Sequence, residues 1–356
     1  MGILRSGAVV FLAFGSLLPL FMATAIGAGD SPLPNAGYGV STIWPIGGDG
    51  GWDMLALEPT GARLFLSRSD RVDVIETSSG RRIGSIANTA GVHGIAFAAD
   101  LTRGYTSNGR ANTVTAFELD TLRIIQESPV AGKGPDAILY EPQTHAVFVA
   151  DAHSDDISVL DPKTLQILGS IALPGPPEFM ATDAAGTVYV NIETEAGKLV
   201  AIDAKSLKLK ATWALPGCAN PTGLALDAVN HRLFSVCAGQ IMVVTDSSSG
   251  KQVARVAIGD GPDGAAFDAD LGFVFSSNGA DGTLTVIHQE TPDQYRVIAT
   301  VQTQKSARTL ALDPAMHRIF LAAARLGATP PATADQPHPR PSIVPDSFVI
   351  LVAKPK

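Results

Sequence analysis

The chain has 356 residues, of which 46% are hydrophobic, 17% charged and 6% aromatic, with 35 Gly and 24 Pro; this composition excludes a disordered chain and a coiled coil. Its 34 acids against 26 bases give a formal charge of -8, and with no Lys/Arg-rich run it lacks the basic footprint that nucleic-acid phosphates require. Two cysteines, Cys218 and Cys237, fit neither a disulfide-dense miniprotein nor a CxxC metal site.

Taken in chain order, the first feature is Arg5 followed by an uncharged apolar run from Ser6 to Ala28 that ends in small residues. This pattern predicts a secretory signal peptide over residues 1–28, cleaved after Ala25 or Ala28. An uncleaved anchor is the competing reading, against which Gly15, Pro19 and the small-residue end argue. No later segment is long and apolar enough to span a membrane. The mature product, residues 29–356, is expected as an exported monomer, periplasmic or secreted, where a disulfide persists.

Next comes an orphan strand-like run, Gly39 to Gly47, and then seven units starting at Asp53, His93, Asp136, Glu178, Thr222, Asp263 and Arg308, 40 to 45 residues apart. Each opens with a short apolar run, such as GIAFA or GLALD. Phe65, Tyr105, Phe148, Phe234, Phe275 and Phe320 lie twelve residues past their starts, and Tyr189 eleven past its own. Rings fixed by a repeat inside strand-like runs are core positions rather than a ligand cage. A third and a fourth apolar run complete each unit, and four short strands in about 42 residues make one blade of a β-propeller. The seventh unit supplies strands at Leu310 to Asp313, Arg318 to Ala323 and Ser347 to Ala353 before the sequence ends. The orphan run is therefore expected to be its fourth strand, which removes the open edge of a linear array. The fold class is all-β, a seven-bladed propeller closed by the N-terminal strand.

The run Phe148-Val149-Ala150-Asp151 followed by ISVLDPKTLQILGSI, with Tyr105-Thr106-Ser107-Asn108 and Phe275-Ser276-Ser277-Asn278 repeating the aromatic-x-x-Asn form, resembles the YVTN repeats of the YncE-like family of exported bacterial seven-bladed propellers. The resemblance covers nearly the whole mature chain. It implies a propeller of a family whose members bind varied ligands or have no assigned activity.

Many polar residues are explained by the repeat alone. Glu58, Glu141, Asp183, Asp227, Asp268 and Asp313 stand where first strands turn into second ones, and Glu76, Glu118, Asp161, Asp203 and Asp246 end third strands; both sets are expected to cap turns. His145, His231 and His317 share one repeat position in different blades, so they cannot converge on one ion. Cys218 and Cys237 bracket the first two strands of blade 5. A disulfide is expected there in an exporting compartment, with two free thiols the alternative.

First strands line the channel of a propeller, so Asp53, His93, Asp136, Glu178, Thr222, Asp263 and Arg308 are expected to ring one mouth as the candidate ligand-binding set. Arg308 can pair with Asp53 or Asp263. His93, Asp136 and Glu178 are consecutive in that ring, with no cation beside them. They are the candidate ligands of a divalent cation, candidate acid-base groups, or solvated channel residues. The loops of the same face carry Asn108, Asp151, His153, Asp155, Asp156, Asn191, Glu193, Glu195, Asn278 and Asp281, which predicts an acidic mouth. A Pro-rich insertion at 325–345, containing His338, rises there too. No nucleophile elbow, zinc-protease helix, phosphate loop or haem motif occurs, and Gly47-Gly48-Asp49-Gly50-Gly51 reads as a linker. Two functions follow as expectations: a scaffold that binds a small molecule, metal or protein at the acidic mouth, or a lactonase-type hydrolase with Glu178 or Asp136 as base, His93 assisting and Arg308 steadying the oxyanion.

Overall fold

The computed structural model describes residues 37–332, 339 and 341–356. The expected signal segment and His338 lie outside the described residues. Seven four-stranded antiparallel sheets make up the described chain. Blade 1 runs through Leu55–Leu57, Arg63–Arg68, Arg71–Glu76 and Arg82–Ala87, and blades 2 to 6 repeat this order. The seventh sheet takes Leu310–Asp313, Arg318–Ala323 and Val349–Pro355, and its outer strand is Tyr38–Pro45 from the other end of the chain. The expected closure is thus observed, with Tyr38 opposite Pro355 and Pro45 opposite Val349.

The core consists of seven clusters, each between two neighbouring blades. The repeat aromatics occupy them: Phe65, Tyr105, Phe148, Phe234, Phe275 and Phe320 are 0% exposed and Tyr189 6%. Burying one such side chain contributes about 1.5–3 kcal/mol. A ring closed by seven equivalent interfaces depends on each of them. Tyr38 joins the cluster between blades 6 and 7, edge-on to Phe275 at 5.1 Å, and its hydroxyl donates to the carbonyl of His317 at 2.9 Å.

The turn acids behave as the repeat requires. Asp227 accepts from the backbone N–H groups of Val229 and Asn230, Asp183 from Ala185 and Thr187, and Asp161 from Lys163 and Thr164. His145, His231 and His317 hold the left-handed residue of their turns, at φ 50, 57 and 50. They therefore belong to turn geometry, a conformation uncommon outside Gly and Asn. Cys218 and Cys237 are bonded to each other across 5.2 Å between Cα atoms. Among the described residues no helix is long and apolar enough to cross a membrane.

Candidate functional site

Ring residues are aimed by a shared local device. In blades 3 to 6 the first strand begins with a proline, Pro135, Pro177, Pro221 or Pro262, which has no N–H to give to a ladder. The register shifts just after it, between Pro135 and Ile138, Pro177 and Met180, Pro221 and Leu224, and Pro262 and Gly264. Blade 2 shifts likewise between Val92 and Ile95. His93, Asp136, Glu178, Thr222 and Asp263 sit inside these irregularities, which turn a side chain out of the regular alternation. Gly94 and Gly223 allow neighbouring first strands to approach, since a Cβ at either would stand 2.8 Å from the Asp136 carbonyl or 2.6 Å from that of Asp263.

Side chains from neighbouring blades then fix the ring backbone. Asn191 donates to the Thr222 carbonyl at 2.9 Å, Thr222 to that of Pro262 at 3.1 Å and Thr309 to that of Asp53 at 2.5 Å. Ser107 and Ser277 do the same for Asp136 and Arg308. Thr222 is consequently part of the frame, its hydroxyl already spent.

The charged members pair in a chain. Arg308 bridges Asp263 at 2.8 Å and Asp53 at 2.9 Å, combining the two pairings the sequence allowed separately. Asp53 in turn holds His93 Nδ1 at 2.5 Å, and Asp136 Oδ1 lies 3.8 Å from the same nitrogen. His93 is therefore linked through Asp53 to Arg308, a pairing the repeat pattern does not indicate. Ring neighbours 40 residues apart make that contact. The hydrogen bond to Asp53 raises the His93 pKa above its ordinary value, with the Asp136 charge adding to it against the opposing effect of burial.

Burial pushes the Asp136 carboxyl up to about 6, and the Asp53 charge adds to the effect. Burial also lifts Asp263 to about 6 in spite of its Arg308 partner. Glu178 is driven well above the carboxylate range by burial and by the charges of Asp136, Glu193 and Asp263, with Glu193 as its hydrogen-bond neighbour. Asp136, Glu178 and Glu193 thus form a carboxyl group cluster with no Arg or Lys bonded to it among the described residues.

Among the described residues, the set whose ligand atoms all lie within 4.8 Å is Asp53, His93 and Asp136. The structure thus groups Asp53, rather than Glu178, with His93 and Asp136. Its groups are already engaged with one another and with Arg308: Asp53 pairs with the guanidinium, and His93 Nδ1 would have to give up its bond to Asp53 to ligate an ion.

Three of the polar residues expected on the mouth loops, Asn108, Asn191 and Asn278, are buried instead. Asn108 and Asn278 are buried and donate to Thr113 and Thr115, and to Thr283 and Thr285, inside their own blades. Asn191 is likewise consumed within the frame. A cleft of about 510 Å³ opens over blades 1 to 3, lined by Trp52, Asp53, His93, Asp136 and Arg308 together with Arg110 and His153 from loops. Arg110 escaped the sequence reading because it occupies no repeat position; only its place between second and third strands, on the same face as the ring, signals it.

Asp151 is a fully buried carboxylate at the position of Asn108 and Asn278. It accepts from Ser158 at 2.5 Å, its other oxygen has no partner, and burial pushes its pKa up to about 7. For an acid raised in the folded state, stability is fullest below the unfolded value near 4 and falls as pH rises through about 7. Asp151→Asn, which supplies the amide used in blades 2 and 6, is expected to raise Tm by several degrees at pH 8 and by little at pH 4. Equal shifts at both pH values in scanning calorimetry would refute this account.

No protein-family model matches the chain. The protein YncE of Escherichia coli K12 aligns with it at 25% identity over 123 residues, 32% of this chain and 35% of YncE, and the Salmonella typhimurium YncE aligns equally. The chain is similar to YncE. The match spans about a third of the length of these curated relatives. Solved propellers share the architecture: a chain of Kuenenia stuttgartiensis hydrazine synthase at 15% identity and TM-score 0.68, covering 85% of this chain and 96% of that one, and U3-55K at 10% and 0.71, covering 88% and 99%. These structural likenesses show the fold alone, and the YncE similarity agrees with the YVTN-like repeats.

Proposed function

We propose that the protein is an exported, periplasmic or secreted propeller that binds a small cationic ligand at its channel mouth. The observation that carries this is the carboxyl cluster of Asp136, Glu178 and Glu193, whose charges repel one another while Arg308 is committed to Asp53 and Asp263. A ligand cation would relieve that repulsion in a site where low dielectric strengthens it. An organic ammonium fits better than a metal, for the reasons given for Asp53, His93 and Asp136. The hydrolase reading has less support, because the guanidinium it needs for an oxyanion is spent on two carboxylates. Export is supported by the N-terminal apolar segment and by the Cys218–Cys237 bond.

Thermal-shift and calorimetric titration with alkylammonium ions and divalent cations tests the reading. Ligand at a hundred times its Kd is expected to stabilise by about 2.7 kcal/mol, a shift of a few degrees. Because protonation of Asp136 competes with the cation, affinity is expected to fall about tenfold between pH 7.5 and pH 5. The Asp136→Asn, Glu178→Gln pair removes the response while raising the ligand-free Tm at neutral pH, since it replaces two carboxyls whose ionised forms burial penalises. If every cation leaves wild type unmoved, the cluster is a solvated channel.

A further inference from the structure

We infer that the ligand is a zwitterion, an α-amino acid of short side chain, with its ammonium at Asp136 and its carboxylate at Arg110. This rests on the reading of the mouth as a cation site and names the rest of the ligand. Both groups line one cleft of about 510 Å³, a size suited to a small molecule. The cleft thus carries a guanidinium and a carboxyl group.

Arg110 stands on the loop between Asn108 and Thr113 with its main chain closely fixed. Gly91, at φ 72, lies so near that a Cβ there would meet the Arg110 nitrogen at 2.6 Å, and the loop is tied to blade 3 by Asn112 accepting from the Gly134 N–H at 2.8 Å. The guanidinium, in contrast, is exposed and has no hydrogen-bond or ion-pair partner among the described residues. A guanidinium fork held at its base and free at its head is suited to a two-pronged grip on a carboxylate.

The carboxylate of the cleft is Asp136, 3.8 Å from His93 Nδ1, which is already bonded to Asp53. A divalent cation in this cleft faces repulsion from Arg110 and Arg308. A simple carboxylate faces Asp53 and Asp136. A molecule bearing both charges a few bonds apart meets neither penalty. Gly51, Gly91, Gly109 and Gly134 contribute part of the remaining lining beside Trp52, Val92 and Ala152, room that suits a short side chain.

The experiment compares L-alanine, ethylammonium and propionate by calorimetry at pH 7.5 on wild type, Arg110→Ala and Asp136→Asn. Arg110 is exposed and Asp136 lies outside the apolar clusters, so both variants are expected to fold, as circular dichroism will verify. Alanine is expected to bind wild type at least about tenfold tighter than ethylammonium, the value of one charge-assisted contact. Arg110→Ala should reduce alanine to the level of ethylammonium and leave ethylammonium unchanged. Asp136→Asn should weaken both. If ethylammonium binds but alanine is no tighter, or if Arg110→Ala leaves alanine untouched, the zwitterion is wrong and the cation site stands. If neither amine binds, both readings fall.

Discussion

A chain that begins at Trp52, lacking the strand Tyr38–Pro45, is expected to lose most of its stability and to associate with itself. Tyr38 is 4% exposed and packs between blades 6 and 7. Val40 lies against the same cluster, and Trp44 covers Phe320 at 5.5 Å in the next. Losing three such side chains costs about 5 kcal/mol, the scale of the entire stability of many domains. The deletion also strips the ladder from Val349–Pro355, and an unpaired edge strand recruits other chains. Urea unfolding with size-exclusion chromatography measures both effects. A synthetic peptide covering residues 37–51 should restore the midpoint in part. A truncated monomer unfolding at the wild-type urea concentration would mean that closure by this strand contributes nothing.

The closing strand was legible because seven copies of a pattern expose the one that lacks a member. Ring positions were legible for the same reason, since a first strand repeated in phase must meet its counterparts at the axis. Repetition is silent on how unlike residues at equivalent positions will pair. Asp53 and His93, 40 residues apart, meet through a bulge geometry that no period encodes, and Arg308 satisfies two partners where the pattern offered alternatives. Asn108 and Asn278 stand next to the mouth loops in sequence, but their side chains turn inward to the threonines of the third strand. Arg110 and Arg68 were missed because each departs from the repeat.

Arg68→Met is expected to destabilise the protein by about 3–5 kcal/mol, the cost of breaking up a buried charged network. At the end of the second strand, where blades 2 and 6 carry asparagine, blade 1 carries an arginine with 0% exposure. Its guanidinium donates to the carbonyls of Gly47, Gly48, Asp49, Gly50 and Gly51, the shortest at 2.9 Å to Asp49. It stacks over Phe348 at 4.0 Å and lies 3.7 Å from Asp73. Burial lowers its pKa to about 10, so it stays charged at neutral pH. The glycine-rich linker that joins the closing strand to blade 1 thus wraps around one cation, which explains how a segment with Gly47, Gly48 and Gly50 at positive φ is held in one path. Methionine fills much of the volume but leaves those carbonyls without their donor, whereas Asp73 keeps Arg71 at 3.1 Å and Arg82 at 3.5 Å. Arg68→Lys should rescue little, because a point ammonium cannot address a fan of five acceptors. Gly51 and Trp52 continue from this linker into the wall of the mouth cleft, so loosening it should also weaken ligand binding. Hydrogen exchange localises the effect: residues 46–52 are expected to lose protection well before the outer strands of blades 3 to 5. Uniform loss across all blades, or full rescue by lysine, would show that Arg68 acts only through its bulk or its charge and does not clasp the linker.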